Sequence, residues 1–310
     1  MSAGGRLALR IDVDFPAGLR RAVPRFLDAL GRVGMGATFF VVAGSNPAPG
    51  LLRRLAEPGY LRRLRRLGLC GILRGLGPSL LGSQAFLASP EAAEALRRVA
   101  AEGHEIAVHG HDHAWWTRNA WRSDAGRLTG EVDRAFDVVE RAADAEGLAW
   151  ASPAWRTTGA VLRHLHGRRV PYLSECWGRE PFLTRLDRGE ILPMPHLPVT
   201  CPSLEASMID GGLDAESAVA AALDGLRPGG IDVLCLHDYF EGLLRPDLFP
   251  LLLEGCRRRG LATCTLREAA VAASKLENLA PCALVRGPLP GFVGDVCWQH
   301  PGPAGASPLP

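Results

Sequence analysis

Eight short apolar runs, at residues 6–14, 37–43, 104–109, 147–152, 169–174, 190–194, 231–237 and 261–265, alternate with amphipathic stretches at 20–33, 90–102, 127–146, 214–226 and 246–259. Strands separated by helices pair side by side and in parallel, because each helix carries the chain back across the sheet. The pattern predicts an α/β protein with a mostly parallel sheet. Helix boundaries are marked locally: Ser89 stands as an N-cap before Pro90, and Gly103 closes the same segment. A chain of 310 residues with 47% apolar content can bury one large core, and α/β barrels of this size are ordinarily a single domain.

Three of the runs end in ionisable groups. The first closes on Arg10-Ile11-Asp12-Val13-Asp14, and because strand side chains alternate faces, Asp12 and Asp14 point the same way. Two carboxylates so placed repel unless a cation lies between them or one keeps a proton. The third run leads into His109-Gly110-His111-Asp112-His113, where His109 and His113, four apart, share a face of a helical turn while His111 points elsewhere. One carboxylate and two imidazoles make a site with three protein ligands and open positions, the arrangement of a catalytic metal. The run at 231–237 ends in Leu236-His237. Polar groups at the carboxyl ends of separate strands are how an α/β barrel builds a site. Singly, each signal has a plainer explanation, a solvated loop start or a structural histidine; together they favour a reaction centre.

The order Asp-x-Asp, His-x3-His, Trp-Arg after a middle strand and a late Leu-His resembles the metal-dependent polysaccharide deacetylases of the NodB-homology group. Within that group, Leu9 to Asp14, Val23-Pro24-Arg25, His113-Ala114-Trp115, Ala154-Trp155-Arg156, Leu197-Pro198-Val199-Thr200, and Leu236-His237 with Glu241-Gly242 are most similar to one branch. Its members are deformylases and deacetylases acting on aminosugars carried by undecaprenyl phosphate, in pathways that decorate lipid A. The resemblance spans residues 6–270. Many members have adjacent aspartates where this chain has Val13 between two, and Pro153-Ala154-Trp155-Arg156 stands where Arg-x-Pro is usual.

The resemblance implies a distorted (β/α)7 barrel over residues 1–275 and a divalent metal, Zn2+ from the ligand types, with Mn2+, Co2+ or Ni2+ suited to the same donors. Asp14, His109 and His113 would be its ligands. Asp12 would be the general base and Arg156 the cation that keeps it ionised, since an adjacent positive charge lowers a carboxyl pKa. His237 would protonate the departing amine, as a group titrating near neutrality can. Glu175 is expected to tune His237, Trp115 to stack on a sugar ring with Trp116 and Trp121, and Thr200 to line the acceptor side with His196.

Between Leu51 and Leu76 the chain carries seven arginines against one acid, Glu57, interleaved with leucines. The stretch at 51–87, inserted after the second strand, reads as a basic amphipathic segment that docks on an anionic membrane surface. A hairpin whose leucines pack on the barrel and whose arginines are merely solvated is the alternative. The expected partners are a polyprenyl-phosphate-linked aminosugar and that membrane surface. Nucleic acid is not expected, because the positive charge is confined to one leucine-rich segment of a chain with net charge +2. With the first strand expected from residue 6, a signal peptide is not expected, and eight cysteines without CxxC spacing suggest reduced, buried thiols. The expected location is the cytoplasm, peripheral on the cytoplasmic face of the inner membrane. Residues 276–310, with seven prolines from Pro281 onward, read as an extended tail. Rival readings are deacetylation of a soluble sugar, a non-catalytic binder of sugar or lipid carrier, and a two-metal amidohydrolase; the last lacks a strand-end lysine, since the single lysine is Lys275.

Overall fold

The computed structural model describes residues 5–44, 87, 89–276 and 279–301, so the basic stretch at 51–87, Leu87 apart, lies outside the described residues. Strand β1 (Arg6–Val13) is central. It pairs in parallel with β2 (Thr38–Val41) on one side and β6 (Ile231–His237) on the other, while β3 (Glu105–Val108) extends the sheet beyond β2 and short β7 (Thr263–Cys264) pairs with Leu7 and Ala8. The runs at 147–152 and 169–174 supply single parallel bridges rather than full strands: Val108 to Trp150, Trp150 to Leu173, Leu173 to His196. The amides of Thr200 and Cys201 then donate to Val233 O on β6, at 3.0 and 3.2 Å. The regular ladder is therefore open between β3 and β6, and irregular crossings fill that side.

Among the described residues the α-helices are α1 (Pro16–Val33), α2 (Pro90–Ala101), α3 (His113–Asn119), α4 (Ala125–Ala143), α5 (Gly159–Gly167), α6 (Leu204–Ile209), α7 (Ala215–Asp224), α8 (Leu248–Arg258) and α9 (Leu266–Ala273). Their ends follow side-chain chemistry. Pro16 opens α1 and Gly34, in the left-handed region at φ 64°, closes it. Ser89 caps α2 by accepting from Ala92 N.

Alternation along β1 produces two cores. Leu7, Leu9, Ile11 and Val13 pack outward with the helices, whereas Ala8 faces inward with Phe40, Ala107, Ala149, Ala151, Tyr172, Val233 and Cys235. The small inward residues leave room for larger polar groups on that same face, where Arg10, Asp12 and Asp14 fall.

Within the segment read as an extended tail, residues 281–300 form two strands instead. Strands β8 (Pro281–Pro288) and β9 (Asp295–His300) form an antiparallel hairpin, and β8 joins β4 (Phe182–Arg185) in parallel, with β5 (Ile191–His196) on the other edge of β4. The hairpin is fastened to the barrel by Trp177 N donating to Cys297 O and Gln299 N donating to Trp177 O, at 3.0 and 2.8 Å. Its pairing partners lie about a hundred residues upstream, which a local periodicity reading does not see. The seven described cysteines are buried thiols.

Candidate active site

The parallel register sets Asp12 of β1 directly beside His237, the last residue of β6. On the other side His109 N donates to Val41 O at 2.9 Å, which places the end of β3 at the same level. The chain must then turn sharply. Gly110 does so at φ 81°, where a side chain would be strained and a Cβ would stand 2.7 Å from Pro153 Cγ. Asp112 accepts from Trp115 N at 2.7 Å and caps α3, so that His113 is its first residue and faces back to the strand ends.

The result is a compact donor set. His109 Nε2 lies 3.6 Å from both Asp12 Oδ2 and Asp14 Oδ1, and His113 Nε2 lies 3.7 Å from Asp14 Oδ1. His109 Nδ1 is 2.8 Å from Ala151 O; a carbonyl only accepts, so the proton sits on Nδ1 and the Nε2 lone pair faces the carboxylates. Burial pushes the His109 imidazolium down to about 4, though Asp12 and Asp14 oppose this, so the ring is neutral at pH 7. Burial raises the Asp14 carboxyl, with His109 and His237 pulling against it. Neutral imidazole nitrogens beside a buried carboxylate are ligand atoms, and the three donors of Asp14, His109 and His113 lie within 4.8 Å of one another. Separations near 3.6 Å are what two bonds of about 2.1 Å to a common ion span. The residues fit a divalent cation.

The second half of the site is an ion pair that the Trp-Arg motif misidentified. Arg10, fully buried, donates from Nε to Asp12 Oδ1 at 2.7 Å and from Nη2 to Oδ2 at 2.8 Å, and from Nη1 to Ser174 O at 2.6 Å. Burial alone would raise the Asp12 carboxyl, but the guanidinium and His109 outweigh it and hold Asp12 well below the usual range. Arg156, assigned this task above, instead donates from Nε to Asp295 O at 3.0 Å and from Nη1 to Thr117 O. The reason is the backbone before it: Ala154 and Trp155 both sit in the left-handed region, at φ 58° and 51°. That turn brings the Trp155 ring to 6.2 Å from His237 and 5.7 Å from the Arg10 guanidinium, and sends Arg156 elsewhere. The signal for Arg10 was the same alternation that paired the aspartates.

Glu175 and Thr200 also take other partners. Glu175 accepts from Ser152 N at 3.0 Å; the backbone N of His237 donates to Glu241 instead, at 2.8 Å. Thr200 donates to Asp232 Oδ1 at 2.9 Å, at the opposite end of β6 from His237. His196 is buried, with Nε2 accepting from Glu175 N and Nδ1 2.9 Å from Thr184 Oγ1. Trp115 packs under Arg127, 4.9 Å from ring centre to guanidinium carbon.

Burial pushes Glu175 up to about 7 from 4.5. The folded protein keeps a proton there that the unfolded chain loses, so this contribution to stability is full below pH 4.5 and is lost as pH rises through 7. A Glu175→Gln variant is expected to match the wild type near pH 4.5 and to exceed it by up to about 3 kcal/mol at neutral and alkaline pH. Thermal midpoints that stay parallel across this range would remove Glu175 from the pH response.

Comparisons with known proteins place the chain among relatives of the same fold. The protein described as "Probable 4-deoxy-4-formamido-L-arabinose-phosphoundecaprenol deformylase ArnD" from Shewanella sediminis is 25% identical over 257 residues, covering 80% of each chain. The protein of the same description from Wigglesworthia glossinidia brevipalpis is 24% identical over 203 residues, covering 65% of this chain and 70% of its own. Two solved structures share the fold. One is a Mycobacterium smegmatis structure assigned to the polysaccharide deacetylases, with TM-score 0.58 and 19% identity over 92% of this chain and 96% of that one. The other is the Xyl-CE4 domain of a xylanase from the Trinervitermes trinervoides hindgut metagenome, with TM-score 0.52 and 13% identity over 87% and 91%. The polysaccharide deacetylase family model matches residues 10–166, half of the chain, and the chain belongs to that family.

Proposed function

We propose that this protein hydrolyses the N-formyl or N-acetyl amide of an aminosugar carried on a polyprenyl phosphate, releasing formate or acetate and the amine. One observation carries the reading: a three-donor cluster of Asp14, His109 and His113 stands against the Arg10-held Asp12, with His237 beside it on the adjacent strand. Support for the substrate class comes from the two deformylase relatives, whose names specify a formamido sugar on phosphoundecaprenol.

In this reading Asp14, His109 and His113 would hold a divalent ion, Zn2+ by donor type, which would supply a Lewis acid for the acyl oxygen and for water. Asp12, kept ionised by Arg10, accepts a proton from the attacking water. His237 delivers a proton to the departing nitrogen, and the backbone bond to Glu241 fixes where its ring stands. Trp155 packs edge-on against the His237 ring and walls one side of it.

The seven arginines between residues 51 and 76 support a further part of the reading, attachment to anionic lipid on the cytoplasmic face of the inner membrane, where a lipid A sugar carrier is presented. No described helix is long and apolar enough to cross a membrane.

The test uses undecaprenyl-phosphate-linked N-formyl and N-acetyl aminosugars in anionic vesicles, with released formate and acetate measured. Release by the metal-loaded chain is expected to stop with a chelator and return with Zn2+. Deleting residues 51–85 is expected to slow release from vesicles at least ten-fold and to spare release from detergent-dispersed substrate. No release by the loaded chain, with soluble N-acetyl sugars hydrolysed instead, would move the substrate off the lipid carrier.

A further inference from the structure

The structure points to a second binding site beside the first, and we infer that it holds a phosphate group. At the seam between α3, the turn after Trp155 and the C-terminal hairpin lies a pocket of about 250 Å³ lined by Arg118, Trp121, Arg122, Arg156, Arg286 and Asp295, together with Thr117. Four guanidiniums against one carboxylate leave three net positive charges in a space that small.

The pocket is built rather than incidental. The Arg286 guanidinium carbon lies 4.0 Å from the centre of the Trp121 ring and that of Arg156 lies 5.1 Å from it, so one indole carries two cations. Each contact is favourable, yet the two charges repel, and Asp295 Oδ2, 3.6 Å from Arg286 Nη2, offsets one of them. Arg156 also ties the pieces together, since its bonds to Asp295 O and Thr117 O clamp the hairpin to α3. Trp121 Nε1 donates to Thr157 O at 2.9 Å, which fixes the platform. Arg118 and Arg122, four apart on and just past α3, bring two more guanidiniums to the same space. Planar guanidiniums match the oxygens of phosphate in pairs, and several converging on one cavity make a site for a dianion or a diester.

Its position gives the anion a role. Thr117 Oγ1 donates to His113 O at 2.8 Å, and Arg118 follows His113 by five residues of one helix, a rise of roughly 7 Å. Arg156 directly follows Trp155, whose ring walls His237. An aminosugar with its acylated nitrogen at the metal ligands and a phosphate on its anomeric carbon spans a comparable length. The inference rests on the proposed hydrolysis of a phosphate-linked aminosugar. It adds that this protein recognises the glycosyl phosphate itself, through the arginine pocket, rather than through the lipid chain alone.

The experiment has a binding arm and a kinetic arm, both on the full metal-loaded chain. Titration calorimetry uses inorganic phosphate, an N-formyl aminosugar 1-phosphate and the corresponding methyl glycoside as probes, on wild type, Arg122→Gln/Arg286→Gln and Arg122→Lys/Arg286→Lys. The sugar phosphate is expected to bind wild type at least ten-fold more tightly than the methyl glycoside, and the glutamine variant is expected to lose that preference while the lysine variant keeps part of it. Inorganic phosphate binding that competes with the sugar phosphate locates the recognition on the phosphate; failure to compete overturns it. Kinetically, the ratio of kcat/KM for phosphorylated over phosphate-free sugar is expected to fall at least ten-fold in the glutamine variant, chiefly through KM. Equal affinity of wild type and glutamine variant for the sugar phosphate, at matching thermal midpoints, overturns the pocket. Absence of hydrolysis with the binding preference intact overturns the proposed reaction and leaves the phosphate site standing.

Discussion

An Arg10→Met variant is expected to unfold about 3–5 kcal/mol more easily than wild type and to lose most of its hydrolytic activity at neutral pH. Arg10 is fully buried and gives two hydrogen bonds to Asp12 and further ones to Ser174. Methionine preserves much of the side-chain length and removes the charge, so the Asp12 carboxylate is left buried without its counterion. Its pKa must then rise, because burial opposes the charged form and nothing as close replaces the guanidinium. Linkage makes the sign definite. In wild type the depressed carboxyl contributes stability above its unfolded value of 3.8, and that contribution fades as pH falls towards the folded value. In the variant it is absent at neutral pH as well, and the acid limb of the kcat/KM profile shifts to higher pH. Urea midpoints and the pH profile read the two effects separately. The double change Arg10→Met/Asp12→Asn is expected to recover part of the stability and none of the activity, since removing both charges leaves neither stranded. An Arg10→Met protein as stable and as active as wild type would falsify the pairing.

Asp12→Asn is expected to lower kcat by about 10² to 10⁴, the usual worth of a positioned general base. The bound metal should remain, because the donors of Asp14, His109 and His113 are untouched. His113→Ala supplies the contrast: its activity should fall together with the metal content and respond to added Zn2+, whereas excess Zn2+ should not rescue Asp12→Asn. Metal analysis beside formate and acetate release distinguishes the two. Retention of kcat within ten-fold in Asp12→Asn would assign proton transfer to another group.

The sequence was most informative where a local rule and a long-range consequence coincide. The run 231–237 is β6 from Ile231 to His237, and the alternation through Arg10, Asp12 and Asp14 put all three on the inner face. His109 and His113 both stand near Asp14, though not on one helical face: His109 follows β3 and His113 opens α3 after the Gly110 turn. Where partners are chosen by tertiary register, local reading failed. Thr200 and Glu175 lie near the right strands, but which carboxylate reaches His237 depends on a return turn after β6 that places Glu241. Arg156 could not be placed without knowing that Ala154 and Trp155 adopt left-handed backbone, a conformation their residue types do not announce. The runs at 147–152 and 169–174 have the composition of strands but meet their neighbours at single positions, and the hairpin at 281–300 is held by pairing with β4.

The inward face of β1 has a consequence for how such a protein can change over time. The residue filling the middle of the barrel, Arg10, is the same one that holds Asp12 ionised, so the packing and the charge of the candidate site are inherited together. A lineage that abandoned hydrolysis could not shed Asp12 alone without stranding a buried cation, and would have to lose both residues or find a new anion for the first. Intact Arg10 and Asp12 in a descendant are therefore weak witnesses to retained activity, because folding alone would preserve them; His113 and His237, half-buried at the rim, are the stronger ones.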